Sequence, residues 1–134
     1  MKGTIMLVAS QKTPVARRGV QNFYVGLAAL ILAGIVLQGF FIGAYLFAGA
    51  MWGLRLHSFT GLALVILSLV LAVTGLPTNL STRTKTLGFV LFGLVFIQVT
   101  LPSFSDSVPL LAALHPANAM ILFGLNMYLL VQMR

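Results

Sequence analysis

At 134 residues, with 60% hydrophobic and 7% charged residues and a mean hydropathy of +1.07, the chain lies outside the composition of soluble domains. Its net charge of +7 would suit nucleic acid in a soluble protein. Here the basic residues flank apolar runs, so they read as topology signals, and nucleic acid is excluded as a partner. The absence of cysteine removes disulfides, thiolate haem attachment and cysteine metal sites, leaving histidine, methionine and oxygen ligands for any cofactor.

Charge-free runs extend from Gly19 to Leu54, Leu56 to Thr82, Thr86 to Ser105 and Ser107 to Met133. Each supplies the roughly 20 apolar residues that a spanning helix needs. The expected fold is an all-α integral membrane four-helix up-down bundle, with spans at about 23–47, 54–76, 86–102 and 108–131 behind a basic tail over 1–22. Arg17-Arg18 ahead of an apolar run imitates a twin-arginine signal, but the run is too long for one and reads as an uncleaved first span.

In span one, Tyr24 is placed at the membrane interface, and Gly26, Gly34, Gly39 and Gly43 permit close helix approach. Gln38 is its main polar interruption. A short turn with Trp52 and Arg55 leads into span two, where Gly61, Ser68, Ala72 and Gly75 follow His57 at offsets of 4, 11, 15 and 18, on one narrow face broken by Leu64. The stretch 77–85 holds turn residues with Arg83 and Lys85. Span three carries Gln98. The turn Ser103 to Ser107 contains Asp106, the chain's single acid, and span four carries His115 and Asn126.

Seven basic residues (Lys2, Lys12, Arg17, Arg18, Arg83, Lys85, Arg134) then lie on one side and Arg55 alone on the other. The positive-inside rule puts both termini in the cytoplasm. The expected location is a prokaryotic cytoplasmic membrane.

The only two histidines stand in matched segments, Leu56-His57-Ser58-Phe59-Thr60-Gly61 and Leu114-His115-Pro116-Ala117-Asn118-Ala119. Gln38 precedes the first by 19 residues and Gln98 the second by 17, so the halves read as a degenerate repeat of two helical hairpins. Spans two and four run in the same direction, which puts both imidazoles at similar depth on diagonal helices with room for a flat macrocycle between them. Polar side chains in a membrane usually face the interior and have a partner or a task. The expectation is one haem with His57 and His115 as axial ligands.

Gly61 and Ala119, one turn inward, would clear space for the ring. Arg55 would pair with a propionate, and Gln38 or Gln98 would hydrogen-bond a propionate or an imidazole Nδ1–H. Plain alternatives stand beside each role: snorkelling histidines, interhelical glutamine bonds and an ordinary interfacial arginine. Met51 and Met120 read as apolar filler rather than ligands.

These motifs resemble an uncharacterised family of small four-span bacterial and archaeal membrane proteins and, more distantly, one four-helix half of haem A synthase. The resemblance covers about residues 23–132. It implies that His57 and His115 are bis-histidine ligands of a b-type haem. The oxidising half of that synthase has a glutamate about one turn before its first histidine, where this chain has Leu54, so its activity is not implied.

The expectation is therefore a non-enzymatic, cytochrome b-like haem b protein. It would serve electron transfer or be a haem-bearing subunit of a larger complex, with a membrane protein, quinone or redox protein as its outer-side partner. Two other readings remain open: a cofactor-free accessory subunit of a respiratory or photosynthetic complex, and a chlorophyll-type pigment protein in which each histidine ligates its own magnesium.

Overall fold

The computed structural model describes residues 14–133, with side chains from Arg18 onward. Lys2, Lys12, Arg134, the side chain of Arg17 and the tail over 1–13 lie outside the described residues. Helix α1 spans Pro14–Ala48, α2 Met51–Gly75 and α3 Thr82–Thr100; a 3-10 turn at Leu101–Phe104 leads to the short α4, Pro109–Ala112, and to α5, Leu114–Gln132. Four helical segments, Arg18–Ala48, Met51–Gly75, Thr82–Phe104 and Pro109–Gln132, are long and apolar enough to cross a membrane.

The helix ends follow local chemistry that hydropathy does not report. Gly49 takes the left-handed conformation at φ +63°, and its N–H bonds the Tyr45 carbonyl at 3.0 Å, closing α1 in two residues. The Ser81 hydroxyl accepts from the Thr84 N–H at 3.1 Å, so α3 starts at Thr82 and takes Arg83 and Lys85 out of the expected loop. Lys85 Nζ then donates to the Leu76 carbonyl at 3.1 Å, satisfying an orphan acceptor at the end of α2. The Arg83 guanidinium lies 5.2 Å from the Tyr128 ring centre. This end, with Arg18, Arg83 and Lys85, is the basic end of the bundle.

Consecutive spans pack antiparallel. α1 and α3 each touch both α2 and α5, while α2 and α5 stand on a diagonal without touching through their backbones among the described residues. The core cluster of Tyr24, Leu27, Ala28, Ile31, Leu64, Leu71, Leu91, Val95, Leu122, Leu129 and Met133 fills the basic half. Between membrane helices such contacts act through van der Waals packing, because lipid is as apolar as leucine.

The hairpin repeat is visible in this core. Adding 60 to Tyr24, Ala28 and Ile31 gives Thr84, Gly88 and Leu91; adding 58 to Leu64, Ser68, Leu71 and Gly75 gives Leu122, Asn126, Leu129 and Met133. All fourteen are buried.

Two expectations for α1 change. Tyr24 points into the bundle and not out to the membrane surface: it is 1% exposed and its ring crosses the bundle to glycines on α2 and α3. A Cβ at Gly75 would stand 3.2 Å from Tyr24 Cε2, and one at Gly88 2.5 Å from Tyr24 Oη. Of the four glycines expected to permit close approach, only Gly34 does so, its notional Cβ lying 2.7 Å from Leu64 Cδ2. Gly26 and Gly39 border open space and Gly43 meets only Phe47 of its own helix. The closest α1–α2 approach is set instead by Gly53, whose Cβ would fall 2.5 Å from the Phe41 carbonyl oxygen.

Candidate functional site

At the end opposite the basic cluster, the imidazoles of His57 and His115 face one another across the bundle axis. Their ring centroids are 6.0 Å apart and their planes inclined by 60°, although their helices are diagonal. Each ring is tied to the helix preceding its own. His57 Nδ1 lies 3.1 Å from the Gln38 carbonyl oxygen, and His115 Nδ1 lies 2.9 Å from the Gln98 carbonyl oxygen.

These two bonds decide the tautomer. A carbonyl oxygen only accepts, so Nδ1 carries a proton in both rings, and the neutral tautomer compatible with these bonds has its lone pair on Nε2. Fixing Nδ1–H on a carbonyl orients a ligating histidine and raises its basicity. With imidazole–metal bonds of about 2 Å and each ring centre about 1 Å behind its nitrogen, one shared metal ion would hold the centroids about 6 Å apart. The observed spacing fits one metal between two histidines.

The glutamine side chains lock the same helix pairs. Gln38 Nε2 donates to the His57 carbonyl at 2.8 Å and to Thr60 Oγ1 at 2.6 Å. In the other hairpin Asn118 Nδ2 donates to the Leu94 carbonyl at 3.0 Å and to Gln98 Oε1 at 2.7 Å. The backbone carbonyls fix both amide orientations, because only an N–H face can meet them. Thr60 and Asn118 each stand three residues after a histidine, so the repeat extends to the partners of the glutamines.

The glutamines were expected to reach an imidazole or a propionate through their amides. Each instead reaches its imidazole through its main-chain oxygen, while the amide bonds across to the following span. Sequence reading missed Thr60 and Asn118 as partners. The available signal was a polar residue at the same offset after each histidine.

Around the imidazoles the inward-facing residues keep part of their surface exposed. Gln38, His57, Gly61, Gln98, His115 and Ala119 are all half-buried. A Cβ at Gly61 would meet only Gln38 Nε2 at 3.5 Å and Val99 Cγ1 at 3.8 Å, ordinary contacts, so protein packing does not require this glycine. Seven residues inward from Gln38, His57, Gln98 and His115 lie Ile31, Leu64, Leu91 and Leu122, all buried. They form an apolar floor under the site. Arg55 is exposed and has no bonded partner among the described residues. Met51 and Met120 are 54% and 74% exposed and stand away from the rings.

Among the described residues no three or more His, Cys, Asp or Glu side chains gather as a metal site. Two imidazoles therefore suffice only for a metal that brings further ligands with it. Compared with protein-family models, curated proteins and solved structures, the chain matches none.

Proposed function

We propose that this chain is a membrane b-type haem protein holding one haem between His57 and His115. The observation that carries the reading is the pair of imidazoles with ring centroids 6.0 Å apart whose Nδ1–H groups are spent on the Gln38 and Gln98 carbonyls, leaving Nε2 of each ring as the nitrogen available to a metal. A porphyrin brings four nitrogens of its own, which accounts for a site built from two protein ligands. When bound, haem supplies one-electron redox chemistry.

The chain's own groups have separable tasks. His57 and His115 ligate, and the two carbonyls fix ring orientation. Gly61 and Ala119 leave room one turn inward, and the layer of Ile31, Leu64, Leu91 and Leu122 excludes water from that side. Arg55 stands two residues ahead of His57 and supplies the positive charge for a propionate.

The spacing favours one macrocycle over two pigments. Two stacked rings, each on its own histidine, would add about 3.5 Å to the separation of the imidazoles. The basic-end charges support a reading in which both termini are cytoplasmic and the histidine end lies toward the outer face of a prokaryotic membrane. The role is electron transfer, or haem carriage within a larger complex, with a quinone, redox protein or membrane subunit as the outer-side partner. The site has no carboxylate for acid–base work, and the reading is of a carrier and not an enzyme.

The test is the visible spectrum of the solubilised protein from haem-replete cells, oxidised and dithionite-reduced. Sharp reduced α and β bands that vanish in both His57→Ala and His115→Ala are expected. A colourless protein, or a spectrum indifferent to both substitutions, would overturn the assignment.

A further inference from the structure

The basic half of the bundle contains a second polar arrangement, separate from the histidines. Each span contributes one buried polar side chain there: Tyr24 from α1, Ser68 from α2, Thr84 from α3 and Asn126 from α5. Thr84 and Ser68 are satisfied locally, Thr84 Oγ1 with Ser81 Oγ at 2.8 Å and Ser68 Oγ by donating to the Val65 carbonyl at 3.0 Å. Tyr24 Oη and Asn126 Oδ1 have no hydrogen-bond partner among the described residues, although both residues are at least 99% buried.

Both orphaned atoms belong to the same layer. Asn126 Nδ2 donates to the Ala28 carbonyl at 3.0 Å, one turn from Tyr24 on α1. Asn118 lies opposite Leu94, and counting eight residues further along these antiparallel helices brings position 126 level with the turn of α3 around residue 86. That turn also holds Gly88, against which the Tyr24 hydroxyl is pressed. Leaving an O–H and an amide oxygen unpaired in an apolar interior is costly, and one water able to bond both removes the cost.

We propose that Tyr24 and Asn126 hold a water molecule between them, sealed in the basic half of the bundle. The phenol donates to the water, and the water donates to Asn126 Oδ1. Glycine at 75 and 88 leaves the phenol room to reach this point, while Leu71, Leu91 and Leu129 close the layer to anything larger. The proposal is independent of the haem.

The test is radiolytic hydroxyl labelling of the intact solubilised protein in ¹⁸O water, read by mass spectrometry at Tyr24 against the half-buried Tyr45 and Tyr128. A bound water generates the radical beside Tyr24. Labelling should therefore match the other two tyrosines and fall at least about fivefold in Asn126→Leu. Labelling of Tyr24 that stays far below both tyrosines would overturn the proposal. As a second measurement, Tyr24→Phe should lower the melting temperature; an unchanged or raised value would also overturn it. A lowered melting temperature with no labelling would point to a direct Tyr24–Asn126 bond and sink the water.

Discussion

At the basic end, Ile31, Leu71, Leu91 and Leu129 are fully buried, and Gly75 and Gly88 are pressed against a tyrosine ring. At the histidine end, residues on the same inward faces, including His57, Gly61, His115 and Ala119, remain half-buried. Both ends are made by the same four helices and the same hairpin repeat. Helix geometry alone therefore does not explain why these inward-facing residues are buried in one half and half-buried in the other. The difference lies in the residues: large aliphatic groups inward of the floor, and small or polar ones beyond it. The basic half is closed by its own aliphatic side chains, while the histidine half leaves its inward-facing residues half-buried.

This division is sharpest when stability and colour are measured on the same variants. Leu129→Ala, in the packed half, should cost about 2–5 kcal/mol by leaving a cavity, and denaturation in detergent should show it while the pigment spectrum of the folded fraction keeps its band positions. His115→Ala should reverse the pattern: bis-imidazole bands disappear, and the cofactor-free form melts within about 0.5 kcal/mol of the parent. If both variants lost colour and stability together, the halves would not be separable.

Gly88→Ala places a methyl against Tyr24 Oη and Ala72 Cα and should destabilise by about 1–3 kcal/mol through overpacking. Gly61→Ala meets only ordinary contacts and should stay within about 0.5 kcal/mol of the parent, whereas Gly61→Phe should prevent haem binding in reconstitution titrations. Equal melting losses from the two alanines would erase the contrast. Modest effects belong to Thr60→Val and Asn118→Leu, which remove one and two interhelical bonds respectively, each worth about 0.6 kcal/mol and at most about 1.7. Both should shift the haem midpoint potential without abolishing the bands, and an unchanged potential would confine these residues to helix packing.

The four spans and the matched histidines are legible in the sequence because hydropathy and residue identity report them directly. Other features are not. Starts of α1 and α3 depend on Pro14 and on the Ser81 cap, which act inside polar stretches that hydropathy treats as loop. Whether Gly34 or Gly39 faces a neighbour depends on helix rotation, and Tyr24 looks interfacial by position while its helix turns it inward. The contacts that orient the imidazoles come from main-chain oxygens, a group every residue carries, so Gln38 and Gln98 mark the right turns through side chains that do something else.

The matched burial of α1–α2 and α3–α5 bears on ancestry. A protein of one such hairpin would carry a single histidine, and it would complete a facing pair only by associating with a second copy of itself about an axis along the membrane normal. Present-day duplication of the hairpin in one chain would then have fixed the two partners at equal concentration and let them diverge, Thr60 from Asn118 and Gly61 from Ala119. We put this forward as a hypothesis with a direct check. Residues 14–80 expressed alone should assemble as a dimer in detergent, and a strictly monomeric hairpin would leave the repeat without that history.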